Sequence, residues 1–265
     1  MLTAVLHGKA GRVEVEGRAI GWRELFRQRE DLLTGVLFGR LPYLSDGAQE
    51  QFLTLLLGAE IASELGTLQE ITFWPKLRAG KYRGFVEPDV LMDYPNHQLL
   101  VEVKPPYSGS QRLEQWRAEV RALQQEDGDP KPIVLLALGR NPNHSSDMAT
   151  SLQSEFSAVR LRVVCREWQE VMKGLTAILA SADTRDAHII EDWLQAFGLF
   201  GMTNECAPFI DLLPLAESNG RLLSALDSLK GWRSVSAVKA DRKPIDWHSL
   251  MPLVKAFEKD ENQWN

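Results

Sequence analysis

Apolar residues recur at two different periods along this chain, and each change of period marks an element. Residues 86–104 read V-E-P-D-V-L-M-D-Y-P-N-H-Q-L-L-V-E-V-K. Two short apolar runs flank Asp93-Tyr94-Pro95-Asn96, which is turn chemistry between strands. On the second strand Leu100, Glu102 and Lys104 share one face, while Val101 and Val103 share the other. A return past Asp89 would bring one Asp, one Glu and one Lys together at a sheet edge.

Around this hairpin the pattern predicts an alternation of helices and strands. Residues 1–20 are expected to form a β-hairpin turning at 8–12, with Val13 and Val15 alternating after it. Leu25, Leu32, Val36 and Leu33, Leu37, Leu41 recur at helical spacing, so one helix is predicted over 22–41. Ser45-Asp46-Gly47 opens a second helix over 48–65, ended by Gly66. A strand over 69–77 follows. After Pro105-Pro106, Leu113, Trp116, Val120 and Leu123 form the packing face of a third helix. I-V-L-L-A-L within 131–139 is a continuous apolar run, as in a strand covered on both faces. A short helix to about 158 and a strand over 159–165 complete an α/β sandwich, a mixed sheet with helices on its faces. From 167 the periodicity is helical, with Trp168, Val171, Met172, Leu175 and Ile178 in one helix and residues 186–200 in another. The expected organisation is therefore an α/β domain over 1–166 and a mainly helical part over 167–265.

Composition narrows the class without naming it. The chain has 265 residues, 44% hydrophobic and 25% charged, which is ordinary for a soluble globular protein. The two cysteines, Cys165 and Cys206, form no CxxC and suit a reducing cytoplasm. The apolar runs are too short for a membrane span, and the N-terminus does not read as a signal peptide. The formal net charge is −6, so nucleic-acid binding would need a local basic patch. Arg78-Ala-Gly-Lys-Tyr-Arg supplies one, with Arg78, Lys81 and Arg83 as phosphate contacts; a solvated hairpin tip is the other reading.

Several chemistries are excluded. The five histidines are isolated, with no HExxH, and neither GxSxG nor a P-loop occurs. The remaining candidate is a carboxylate pair with a lysine. Carboxylates bind Mg²⁺ through oxygen, the metal acidifies a water, and the lysine orients it or stabilises developing charge. Glu30, near the apolar stripe of the first helix, is a further carboxylate. By helix physics alone the favoured reading is that Glu30-Asp31 is simply a charge pair near the helix N-terminus, suited to the dipole.

Pro88-Asp89, then Glu102-Val103-Lys104, resembles the PD-(D/E)XK signature of the restriction-endonuclease-like nuclease superfamily. Glu30-Asp31-Leu32-Leu33-Thr34-Gly35-Val36-Leu37-Phe38 is similar to a first-helix motif in part of that superfamily. Gln115-Trp116 is similar to its Q-L-x-x-Y element, with Trp116 in place of Leu and Glu119 in place of Tyr. Gln111 is the rival for Gln115, and Glu60 is the reserve for Glu30. The resemblance spans about residues 25–125. It implies a restriction-endonuclease-like mixed sheet and a Mg²⁺- or Mn²⁺-dependent deoxyribonuclease, with Asp89, Glu102 and Glu30 as metal ligands. Lys104 and Gln115 complete the implied catalytic set. It also implies DNA as substrate and a role in microbial defence; the acidic net charge and the unassigned helical part point to protein partners, and dimerisation would suit cutting both strands. A catalytically silent subunit with the same fold is the alternative.

Overall fold

The computed structural model describes residues 2–15, 17–78, 84–125 and 131–202; Lys81, Arg83 and the chain beyond 202 lie outside them. The first element is a helix, α1 (Leu2–Leu6), not the strand expected there. Leu2 and Val5, three residues apart, are both buried, which suits a helix face. The expected hairpin exists, but it is shifted: β1 (Arg12–Val15) pairs antiparallel with β2 (Arg18–Gly21). Val13 and Val15 thus belong to its first strand. Two expected helices are each divided. Arg29 is extended, with φ −121° and ψ 108°, and separates α2 (Trp22–Gln28) from α3 (Glu30–Phe38). Glu30 therefore opens a helix. Gly58, at φ 86°, separates α4 (Asp46–Leu57) from α5 (Ala59–Leu65). That backbone region suits glycine, which carries no Cβ to clash. Ser45 caps α4, its Oγ accepting from the Ala48 N–H at 3.3 Å.

Strand β3 (Glu70–Phe73) is shorter than predicted. It ends at Trp74, whose φ of 49° leaves the extended region. A separate two-stranded ribbon follows, β4 (Leu77–Arg78) against β5 (Phe85–Val86). Then come β6 (Val90–Asp93), β7 (Gln98–Val103), α6 (Leu113–Leu123), β8 (Ile133–Leu138), α7 (Ser145–Glu155), β9 (Arg162–Arg166), α8 (Trp168–Leu179) and α9 (Thr184–Leu199). The last strand starts three residues later than predicted, because residues 157–159 turn as a 3₁₀ helix and Arg160 is left-handed.

The main sheet has the order β3-β6-β7-β8-β9. β3, β6 and β7 are antiparallel neighbours, whereas β7, β8 and β9 run parallel. The parallel connections each contain a helix, as a crossover requires. Alternation along the strands divides the interior into two apolar layers. Val101 and Val103 of β7 join Val90, Met92, Val134, Leu136 and Leu138 on one face. Leu100 joins Leu135, Ala137 and the α6 residues Trp116 and Val120 on the other. This is a mixed α/β sheet flanked by helices, as the periodicity predicts. The mixed character follows from hairpin chemistry at 93–97 and helix-length connections after β7 and β8.

Helices α8 and α9 do not stand apart from this core. Trp168, Val171, Leu175, Trp193 and Phe197 are buried in the same layer as Val101 and Val103. The first compact unit runs from Met1 to Cys206 and a second from Ala207 to Asn265. The boundary expected at 166 thus falls inside the first unit, because the apolar face of the sheet needs these helices to cover it. Residues 207–265 lie outside the described residues. Among the described residues no helix is long and apolar enough to cross a membrane.

Candidate active site

β7 is the middle strand of five, hydrogen-bonded to β6 on one side and β8 on the other. Glu102 and Lys104 stand at its C-terminal end and are 2% and 9% exposed. Asp89, 6% exposed, immediately precedes β6. The register Val90↔Val101 carries Asp89 alongside Glu102, and the Val103 N–H donates to Asp89 Oδ2 at 2.7 Å. The expected meeting of the three residues therefore takes place, though not at a sheet edge. Charges on an edge strand deter pairing with other chains; a buried central strand has no such need, and each charge there costs desolvation.

Hydrogen bonds join the cluster. Lys104 Nζ contacts Glu102 Oε1 directly and lies 3.8 Å from Glu30 Oε1. Gln115 Nε2 donates to Glu102 Oε1 at 2.7 Å and to Glu119 Oε1 at 2.9 Å. The structure thus brings Glu30, Asp89, Glu102, Lys104 and Gln115 together. Gln111 plays a different part. Its Nε2 donates to the carbonyl of Glu102 at 3.1 Å, and its Oε1 accepts from Trp116 Nε1 at 2.9 Å. It holds the backbone of β7, whereas Gln115 reaches the carboxylate. Glu60 is exposed in the first turn of α5, with no hydrogen bond or ion pair to these residues. Arg78 is exposed on β4.

Electrostatics follow from burial. Desolvation and the neighbouring Glu102 push the Asp89 carboxyl up to about 8. Burial likewise raises Glu102, although Lys104 opposes it. Burial disfavours the charge of Lys104, but Glu102, Glu30 and Asp89 outweigh that and raise its pKa. Its ammonium therefore stays protonated near neutrality, a donor and not a base.

Two features were missed by sequence reasoning. Glu119 is 2% exposed and its Oε2 has no hydrogen-bond partner. Burial first, then Glu102, holds its carboxyl well above the usual range. Its signal was the i, i+4 spacing from Gln115 on one helix face. The other is the anchor beneath Lys104: Trp168 Nε1 donates to the Lys104 carbonyl at 2.8 Å. Gly139, at φ 80°, permits this approach; a Cβ there would lie 2.2 Å from Trp168 Nε1 and 2.4 Å from the Lys104 oxygen. No local pattern signals a contact across 64 residues.

The donor set suits a hard, oxygen-seeking cation such as Mg²⁺ or Mn²⁺. The Val103 N–H engages Asp89 through Oδ2, and Glu119 Oε2 is buried without a hydrogen-bond partner. As arranged here, no three Asp, Glu, His or Cys side chains among the described residues form a ready metal-binding group. Glu102 is engaged by Lys104 and Gln115 instead.

No protein-family model matches the chain. It is similar to uncharacterized protein PM0110 of Pasteurella multocida (strain Pm70), at 26% identity over 207 residues, covering 74% of this chain and 78% of that protein.

Proposed function

We propose that this chain is a metal-dependent nuclease of the PD-(D/E)XK type, with the restriction-endonuclease-like form of the α/β sheet. It would hydrolyse DNA phosphodiester bonds, with microbial defence against foreign DNA as its setting and other protein subunits as partners. The observation that carries this reading is the burial of Asp89, Glu102 and Lys104 together at one end of the central strand. Buried ionisable groups whose protonation is displaced by desolvation and by specific charged neighbours are typical of functional sites.

Asp89 and Glu102 would hold Mg²⁺ or Mn²⁺. Bound there, the cation would supply charge neutralisation and an acidified water. Lys104 presents a protonated ammonium that can donate to the attacking water or to a phosphoryl oxygen. Glu30 and Glu102 aim that ammonium. Gln115 orients the Glu102 carboxylate through its amide. In hydrolysis a water oxygen bonds to phosphorus while the bond from phosphorus to the leaving sugar oxygen breaks. Arg78, with Lys81 and Arg83, would contact the phosphate backbone.

A catalytically silent interaction subunit of a nucleic-acid-processing or defence complex is the second reading. The engagement of Glu102 by Lys104, which leaves no ready metal-binding group among the described residues, favours it. Plasmid cleavage with Mg²⁺ separates the two. The wild type should cleave, and Asp89→Ala and Lys104→Ala should each lose at least about 100-fold, the scale of removing a transition-state donor. Equal cleavage by all three would sink the site assignment.

A further inference from the structure

Aromatic rings are exposed beside the Asp89 end of this site. Among the described residues the exposed large apolar side chains are Tyr43, Trp74, Phe85 and Tyr107. Trp74 precedes the β4–β5 ribbon, Phe85 is the first residue of β5, and Tyr107 follows Lys104 by three positions. Trp74 is 36% exposed and Phe85 is 55% exposed. Leu77, between them in the chain, is buried and anchors the ribbon in the layer containing Trp116 and Val120 of α6.

The backbone at Trp74 is unusual. Its φ of 49° is a genuine outlier for a bulky side chain. The Trp74 N–H donates to the Asp89 carbonyl at 3.0 Å, which ties this conformation to the site. Its ring lies 5.5 Å from that of Phe73 at its back. Strained residues persist where the surroundings over-determine them, and they cluster at functional sites. The cations are interleaved with the rings. Lys76 Nζ sits 5.2 Å from the centroid of Phe85. Arg78 is the register partner of Phe85 across the ribbon.

We infer that Trp74 and Phe85, with Lys76 beside the Phe85 ring, form a stacking platform for unpaired bases of single-stranded DNA entering the site at Asp89. Its link to cleavage rests on the nuclease reading, but binding does not. Rings offer a face that any base can stack on, and the adjacent ammonium suits the phosphate backbone. A duplex hides its base faces within the stack and would gain only the backbone term. The β4–β5 ribbon also contacts α6, which carries Gln115. A strand bound there would therefore pass close to the carboxylates.

The test measures fluorescence anisotropy of labelled oligo(dT) and of a blunt duplex of equal length, in EDTA so that nothing is cut. The full chain is compared with Trp74→Gly, Phe85→Ala and Trp74→Phe. Glycine removes the ring and also tolerates the left-handed backbone, so Trp74→Gly should keep the wild-type melting temperature within a few degrees. The wild type should bind oligo(dT) more tightly than duplex. Trp74→Gly and Phe85→Ala should each weaken oligo(dT) binding by roughly 5- to 100-fold, as loss of a base-stacking ring does. Duplex binding should hardly change, and Trp74→Phe should retain most of the affinity. Unchanged oligo(dT) binding in folded Trp74→Gly and Phe85→Ala, equal losses on both ligands, or no binding by the wild type would overturn the platform. A parallel Mg²⁺ cleavage assay keeps the two readings distinct. Cleavage by a wild type whose binding ignores these rings defeats the platform alone. Ring-dependent binding without cleavage defeats the nuclease alone.

Discussion

At the Gln98 end of the central strand, Lys131 Nζ donates to both carboxylate oxygens of Asp93, at 3.0 and 2.9 Å, and to the Tyr94 carbonyl at 2.7 Å. Arg162 grips both oxygens of Glu64 nearby, at 3.2 and 2.6 Å. At the Val103 end, Asp89, Glu102 and Glu119 are buried with Lys104 as the one buried cation among the described residues. The same sheet thus carries two charged clusters of different character. One is matched and partly exposed, and resembles ordinary surface pairing worth little. The other is buried and unmatched, with three carboxyls around one ammonium, and desolvation pushes those carboxyls to keep their protons. The contrast points to where chemistry resides: ionisable groups buried at an energetic loss, with displaced protonation, need a reason other than folding.

The greatest loss of stability should come from disturbing the support of the buried cluster. Gly139→Ala would drive a Cβ into Trp168 and the Lys104 carbonyl. It should cost about 3 kcal/mol or more in chemical denaturation, by overpacking, backbone strain and loss of a buried hydrogen bond. A loss under about 1 kcal/mol would show that the Lys104 anchor is not rigid.

A divalent cation should act next, and only at the buried end. Mg²⁺ or Mn²⁺ well above its dissociation constant should stabilise the fold by about 2–3 kcal/mol, as ligand linkage requires at a hundredfold excess. The gain should be greater at pH 8 than at pH 5, because protons compete for the raised Asp89 carboxyl. Asp89→Asn should abolish it. Lys131→Met, at the other end, should leave it intact.

Without metal, Asp89→Asn separates the two ends through pH. The native state holds the Asp89 proton up to about pH 8, whereas an ordinary Asp releases it near 3.8. Its contribution to stability is therefore fully present below about pH 4 and is lost as pH rises through about 8. The raised Glu102 carboxyl acts in the same direction. Asp89→Asn keeps an acceptor for the Val103 N–H while avoiding the buried charge. It should gain stability over the wild type as pH rises from about 6.5 to 9, by about 2 kcal/mol at the alkaline end. A difference independent of pH would contradict the raised carboxyl. The matched end should respond least: Lys131→Met should cost at most about 1 kcal/mol, less at high salt.

Much of this was legible in the chain. The hairpin at 86–104, the doubly buried β8 run and the helices around them follow from period and turn chemistry. Asp89, Glu102 and Lys104 were placed together by spacing alone, since a tight hairpin leaves little choice of register. The breaks at Arg29 and Gly58 were not. Apolar positions continue across both, and periodicity cannot distinguish one helix from two in line. Helices α8 and α9 looked separable because no strand follows β9, yet the sheet face they cover is made of residues far earlier in the chain.

The alternating strands, the turn between them and the side chains that share a face were set by the chain alone, because these are properties of neighbouring residues. The central place of β7 in the sheet was not, nor the joining of Glu119 to Glu102 through Gln115, nor the hold of Trp168 on Lys104 past Gly139. Those outcomes belong to the tertiary structure, since they depend on how distant segments pack. Packing sets the burial that turns three nearby charges from a surface cluster into a dry site with a displaced carboxyl and a fixed ammonium.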